Sequence, residues 1–188
     1  MFIQTEQTPN PQTLKFLPGK VVMDEGTAFY QNVDEAGNSP FARRLFAIEG
    51  VSGVFFGSDF ITITKSDAYE WQVMKPSVLG GIIDHFNSED KTVEKDAEKE
   101  AEKSLQTNED DSDIVKQIKE LLDTRVRPAV AMDGGDIIYN DFADGVVYLK
   151  MQGACSGCPS STATLKMGIE NMLKHYIPEV QEVRPVDA

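Results

Sequence analysis

The stretch from Ser88 to Ser112 limits what this chain can fold into more than any other. It holds ten acidic and four basic residues, no aromatic residue and almost no large apolar one. Such a composition cannot bury enough apolar surface to offset the entropy of ordering the backbone. It reads as a flexible acidic linker over 88–112, with partial helicity possible over 95–103. A solvated tether accounts for it better than an acidic docking tail. It divides the 188 residues into two flanks, 1–87 and 113–188, each long enough for one small domain.

Both flanks mix strand and helix patterns, so the expected fold class is α+β, as two small α+β domains. In the first flank, Phe2 to Gln4 and Thr13 to Leu17 read as extended runs around Thr8-Pro9-Asn10-Pro11. Each residue before a proline is pushed toward extended backbone. Another extended run is expected over Lys20 to Met23, after the Pro18-Gly19 turn. Ser39-Pro40 reads as an N-cap with proline at the first helical position, and Gly50 as the end of that helix. Val51 to Phe56 and Phe60 to Thr64 form a hairpin pattern around Gly57-Ser58-Asp59. Ile61 and Ile63 alternate with Thr62 and Thr64, which predicts one wet face. A helix is expected from Lys75-Pro76-Ser77 onward. Trp71 reads as a partly buried packing residue.

In the second flank Asp113 is the expected cap of a helix carrying Ile114, Ile118, Leu121 and Leu122. Pro128 forces a kink or break in it. Met132-Asp133-Gly134-Gly135-Asp136 reads as a tight turn in which glycine backbone matters most. Strands are expected at Ile137–Phe142 and Gly145–Met151, then a helix over Ser160–Tyr176 and a last strand near 180–186. Arg125 and Arg127 read as solvated, and His85 and His175 as surface residues near helix C-termini, where they complement the dipole.

The formal net charge is −13. That excludes nucleic acid as the main partner, because phosphate binding needs a concentrated basic face. It also disfavours docking on an anionic membrane. No apolar run approaches the ~20 residues of a membrane span. The first residues show neither signal-peptide nor transit-peptide character. The expected location is the cytoplasm, or the mitochondrial matrix if a targeting segment has been removed.

Both cysteines of the chain fall in Gly153-Ala154-Cys155-Ser156-Gly157-Cys158-Pro159. A pair at this spacing can ligate a metal, shuttle electrons as a dithiol or close a disulfide. A reducing compartment disfavours the disulfide. A thioredoxin-like dithiol also precedes a helix, but here the pair follows a hairpin and the proline comes after it. Two thiolates cannot complete a four-ligand site, and a helix carries His175 ~20 Å away. Symmetry supplies the missing pair: two chains, each presenting Cys155 and Cys158, with the metal on the two-fold axis. Four soft thiolates suit zinc or an iron–sulfur cluster. Gly153 and Gly157 allow close backbone approach, and the following helix N-terminus favours thiolate.

Met132-Asp133-Gly134-Gly135-Asp136 followed by Gly153-Ala154-Cys155-Ser156-Gly157-Cys158-Pro159-Ser160-Ser161 resembles the NifU-like C-terminal domain of Nfu-type iron–sulfur scaffold proteins. The likeness covers about residues 113–186. Phe2 to Pro11, Leu14 to Gly19, Gly53 to Phe56 and Asp59 to Lys65 resemble the Nfu N-terminal domain. The resemblance implies a non-enzymatic carrier of a [4Fe–4S] cluster, shared between two subunits through Cys155 and Cys158. It implies a homodimer when loaded, upstream assembly machinery and apo-protein clients such as lipoyl synthase and aconitase. It also implies client or partner contacts for the N-terminal domain, which lacks cysteine. A dithiol oxidoreductase and a zinc-bridged interaction dimer are the alternatives.

Overall fold

A computed structural model describes residues 1–88, 90–93, 112–157 and 159–186, the last stretch as backbone only over 159–161. Most of the 88–112 spacer and Cys158 lie outside the described residues. The fold is α+β with two domains, each with its own hydrophobic core.

The first domain is a five-stranded antiparallel sheet in the order β1-β2-β5-β4-β3. Its strands are β1 (Gln4–Gln7), β2 (Thr13–Leu17), β3 (Ala28–Tyr30), β4 (Val51–Phe56) and β5 (Ile61–Lys65). Leu14, Phe16, Val54, Phe56, Ile61 and Ile63 face one way, onto α1 (Pro40–Phe46) and α2 (Trp71–Ser88). Burying one such side chain fully contributes about 1.5–3 kcal/mol. Ser39 caps α1 as expected, its Oγ accepting from the Ala42 amide at 3.0 Å. The same hydroxyl donates to the Thr92 carbonyl, and the neighbouring Val93 is buried in this core.

Three expectations for this domain are corrected. The run Lys20–Met23 is not a strand; the edge strand is β3, whose short Ala-Phe-Tyr pattern carries little periodic signal. Helix α2 begins at Trp71 rather than Lys75, with Pro76 inside it. The added turn buries Met74 and seats Trp71 edge-on against Phe16, its indole N–H donating to the Pro11 carbonyl at 3.3 Å. Trp71 is thus the partly buried packing residue expected. His85 is buried rather than solvated. Its ring stacks flat on Phe41, centroids 3.7 Å apart, and among the described residues its Nδ1 has no hydrogen-bond partner.

The second domain begins with α3 (Asp113–Leu121), capped by Ser112 rather than Asp113: the Ser112 Oγ accepts from the Val115 amide at 3.3 Å. A π-helical turn, Leu122–Val126, then leads into α4 (Arg127–Met132). Pro128 stands at the start of α4, where a missing N–H is tolerated. The chain therefore absorbs the proline as a wide turn followed by a fresh helix start. Next come β6 (Gly135–Ala143), β7 (Val146–Gly153), α5 (Pro159–Tyr176) and β8 (Glu182–Val186). Strands β6 and β7 are antiparallel and β7 and β8 parallel, so α5 is the crossover. Glu170 of α5 accepts from the Val183 amide at 3.0 Å, fastening the crossover to β8.

Candidate metal centre

The cysteine turn lies where β7 ends beside the start of β6. Gly135 and Gly153 face each other in the β6–β7 register. Gly153 has φ +63°, and a Cβ there would stand 2.7 Å from the Gly134 carbonyl oxygen. A Cβ on Gly135 would stand 2.6 Å from the Cys155 Sγ. Both positions therefore need glycine for space, and Gly153 needs it for backbone conformation as well. The Ala154 amide donates to the Gly134 carbonyl and the Ser156 amide to the Gly153 carbonyl, each at 3.1 Å. The Thr162 hydroxyl, from the first turns of α5, donates to the Cys155 carbonyl at 3.2 Å. These bonds tie the turn to the preceding glycines and to the helix that follows.

Next to Gly135, Asp136 is buried and gathers four donors. Arg127 grips it with two, Nε to Oδ1 at 2.8 Å and Nη2 to Oδ2 at 2.7 Å. The Ile137 amide donates at 2.8 Å, and the Thr27 hydroxyl of the first domain donates at 2.9 Å. Arg127 is therefore not a solvated surface residue: it links α4 to the glycine turn, and the pair raises its pKa further. Arg125 is exposed and lies over the Tyr176 ring.

Cys155 is buried, 6% exposed, and packs into the second core. Burial pushes its thiol up to about 12, with Asp133 and Asp136 adding in the same direction. The sulfur is thus a protonated thiol at neutral pH in this conformation. A thiolate is what ligates a soft metal, so ligation displaces the Cys155 proton. The donor type, the side-chain-free space beside the sulfur and the adjoining helix N-terminus fit such a cargo. Among the described residues no group of three or more His, Cys, Asp or Glu side chains could hold a metal ion. His175 is exposed at the end of α5, as expected for it. Cys158, the second expected ligand, lies outside the described residues.

The first domain contributes contacts that sequence reading missed. One row crosses all five strands of its sheet on the face away from α1 and α2: Glu6, Lys15, Thr62, Phe55 and Phe29. The Thr62 hydroxyl donates to the Gly134 carbonyl at 2.6 Å. The Lys15 ammonium donates to the carbonyls of Ala131 and Met132 at 3.2 and 3.1 Å. The Asn10 side-chain amide donates to the Ser156 carbonyl at 3.2 Å. Phe55 reaches the backbone at Gly153. Thr62 is 1% exposed, so the face expected to be wet is covered by the turns of the second domain. The available signal was Val54-Phe55-Phe56, which places apolar residues on both faces of one strand.

Residues 3–89 match the family described as scaffold protein Nfu/NifU N terminal, and residues 118–184 match the NifU-like domain. A human relative, "NFU1 iron-sulfur cluster scaffold homolog, mitochondrial", is 51% identical over 99% of this chain and 72% of its own length. The chain belongs to the Nfu family of iron–sulfur cluster scaffold proteins. Another Nfu relative, "NifU-like protein 4, mitochondrial" from Arabidopsis thaliana, is 54% identical over 97% of this chain. A Drosophila sechellia relative bearing the same name as the human one is 53% identical over 99% of it. The chain spans 65% of the length of each of these last two. Among the described residues of this Nfu chain, no helix is long and apolar enough to cross a membrane.

Proposed function

We propose that this chain is a non-enzymatic carrier that binds a [4Fe–4S] cluster between two subunits through Cys155 and Cys158 and passes it to apo-proteins. The observation that carries the reading is the Cys155 turn: a soft donor over a glycine, between a hairpin and a helix N-terminus, in a chain of the Nfu scaffold family. Two thiols per chain make the site half of a four-thiolate set, so loading pairs two chains. Transfer proceeds by ligand exchange, client thiolates replacing those of the carrier one at a time. The domain boundaries we adopt are 1–87 and 113–188; Thr92 and Val93, early in the 88–112 spacer, pack on the first domain, and the rest of the spacer holds client and cluster domains at raised effective concentration. The relatives are named mitochondrial, which suits a matrix setting for the chain as one of the two expected locations. The dithiol reading is less well supported, since the human and Drosophila sechellia relatives are named iron–sulfur cluster scaffolds.

Anaerobic reconstitution with iron and sulfide tests the proposal. The expected product is a brown dimer with about one cluster per two chains, which then loads an apo client. A Cys155→Ser or Cys158→Ser chain is expected to lose the cluster. A Cys155→Ser chain that still dimerises around a full cluster overturns the ligand assignment, and zinc alone in protein purified without oxygen supports the interaction-dimer alternative.

A further inference from the structure

The cross-strand row on the first sheet meets the second domain at the 131–134 turn and, through Phe55, at Gly153 beside Cys155. Its donors are aimed at backbone carbonyls, of Ala131, Met132 and Gly134, and Asn10 reaches the carbonyl next to Cys155. Carbonyl groups at turns are satisfied by water when nothing covers them. Here the chain's own first domain supplies donors to four of them, and of these the Ala131 and Gly134 carbonyls also accept a backbone amide of the second domain. Lys15 spends a nearly buried ammonium on two, with Glu6 3.6 Å away and the Phe60 ring 4.7 Å away. A charged side chain is this deeply covered only when it is well paired. Thr62 is buried, and its hydroxyl is satisfied by the Gly134 carbonyl. The contact is therefore built by specific polar residues as well as by the apolar Phe55.

We propose that the outer face of the N-terminal sheet is an intramolecular lid, seated on the cysteine turn in the cluster-free chain and displaced when two chains share a cluster. This rests on the carrier reading given above. A cluster on a two-fold axis needs the turn to face a second copy, and the same turn cannot also face Asn10 and Phe55, whose withdrawal takes with it the Lys15 and Thr62 contacts to the adjoining 131–134 turn. Lid opening and cluster loading are then linked: each favours the other by the same factor. Displacement also frees a surface of Lys15, Thr62, Phe55 and Phe29 that is presented only by loaded protein.

Acetylation of Lys15 in the full chain, read site by site by mass spectrometry, tests the lid without relying on the cysteines. Two variants weaken the seat while sparing the second domain. Thr62→Val keeps the shape and removes the donor. Asn10→Asp keeps the Oδ1 that accepts from the Gln12 amide but turns an oxygen toward the Ser156 carbonyl. The expected result is slow Lys15 labelling in the cluster-free wild type. Labelling is on the order of tenfold faster in the double variant, and comparably fast in loaded wild type. Unchanged far-ultraviolet circular dichroism and Trp71 fluorescence in the variants exclude unfolding as the cause. Cluster-free wild type that labels Lys15 as fast as an exposed lysine overturns the lid. So does loaded dimer that protects Lys15 as well as the cluster-free chain does. If neither wild type nor variant takes up a cluster, the carrier reading fails separately, and the cluster-free arm still decides whether the lid exists.

Discussion

Replacing Arg127 with methionine removes the charged half of a pair while keeping an unbranched side chain of similar length. The carboxylate it leaves, Asp136, is 3% exposed. Breaking such a pair from one side costs about 3–5 kcal/mol. Thr27 and Ile137 still donate to the carboxylate, so the expected cost is about 3 kcal/mol, the lower end of that range. Asp136→Asn is expected to cost less, about 1–2 kcal/mol. It keeps the shape and leaves Arg127 with Asp123, at 3.1 Å, and with partial access to water. The double variant should be more stable than the two single costs predict, because neither charge is then left alone. Urea unfolding read by two probes gives the answer. The only tryptophan, Trp71, lies in the first domain, so its fluorescence follows that domain, while circular dichroism follows both. The Arg127→Met shift should appear in circular dichroism and be nearly absent from fluorescence. A cost below about 1 kcal/mol, strict additivity in the double variant, or equal shifts by both probes would refute the buried-pair account.

His85 gives a pH prediction for the other domain. Burial lowers its pKa from 6.5 to about 4, so protons favour the unfolded state. Stability is full above pH 6.5 and falls as pH drops toward 4, by about 3 kcal/mol in all if the shift is taken at about 1.4 kcal/mol per unit. Urea midpoints from Trp71 fluorescence should show this fall, and His85→Phe, which keeps the ring against Phe41, should flatten it; a fall of equal size in both proteins rejects the assignment. Gly135→Ala should destabilise the second domain by about 1–3 kcal/mol and reduce cluster content on reconstitution, since the new methyl would meet both the Cys155 sulfur and the Gln152 carbonyl. An alanine chain that loads as fully as wild type would show that the glycine is not required beside the sulfur.

The second domain was largely legible because its signals are local. The α-β-β-turn-α-β order appears as periodic runs separated by Gly134-Gly135, Asp144-Gly145 and the cysteine turn, and the structure keeps that order. Cap positions slipped by one residue, as with Ser112, because serine and aspartate in succession are both good N-caps. His85 was misread because helical position near a C-terminus was allowed to decide its surroundings. Its stacking on Phe41 of another helix is a tertiary fact with no local trace. Arg127 was misread for a similar reason, since nine residues and a turn separate it from Asp136 in sequence.

The hidden face of the first sheet marks the limit of periodicity as a guide. In β2 and β5 the residues pointing away from the first core include Lys15 and Thr62, and alternation of apolar with polar residues correctly reports that one face avoids that core. It cannot report whether the other face meets water or a second domain. Lys15, Thr62 and Asn10 are polar because their partners are carbonyl oxygens, and a carbonyl oxygen asks for the same side-chain donors that water accepts from. A polar interface of this kind is invisible in a hydrophobic pattern. Phe55 and its cross-strand neighbour Phe29 were the residues on that row whose chemistry did not suit a wet face, and Phe55 packs against Gly153, beside the turn that carries Cys155.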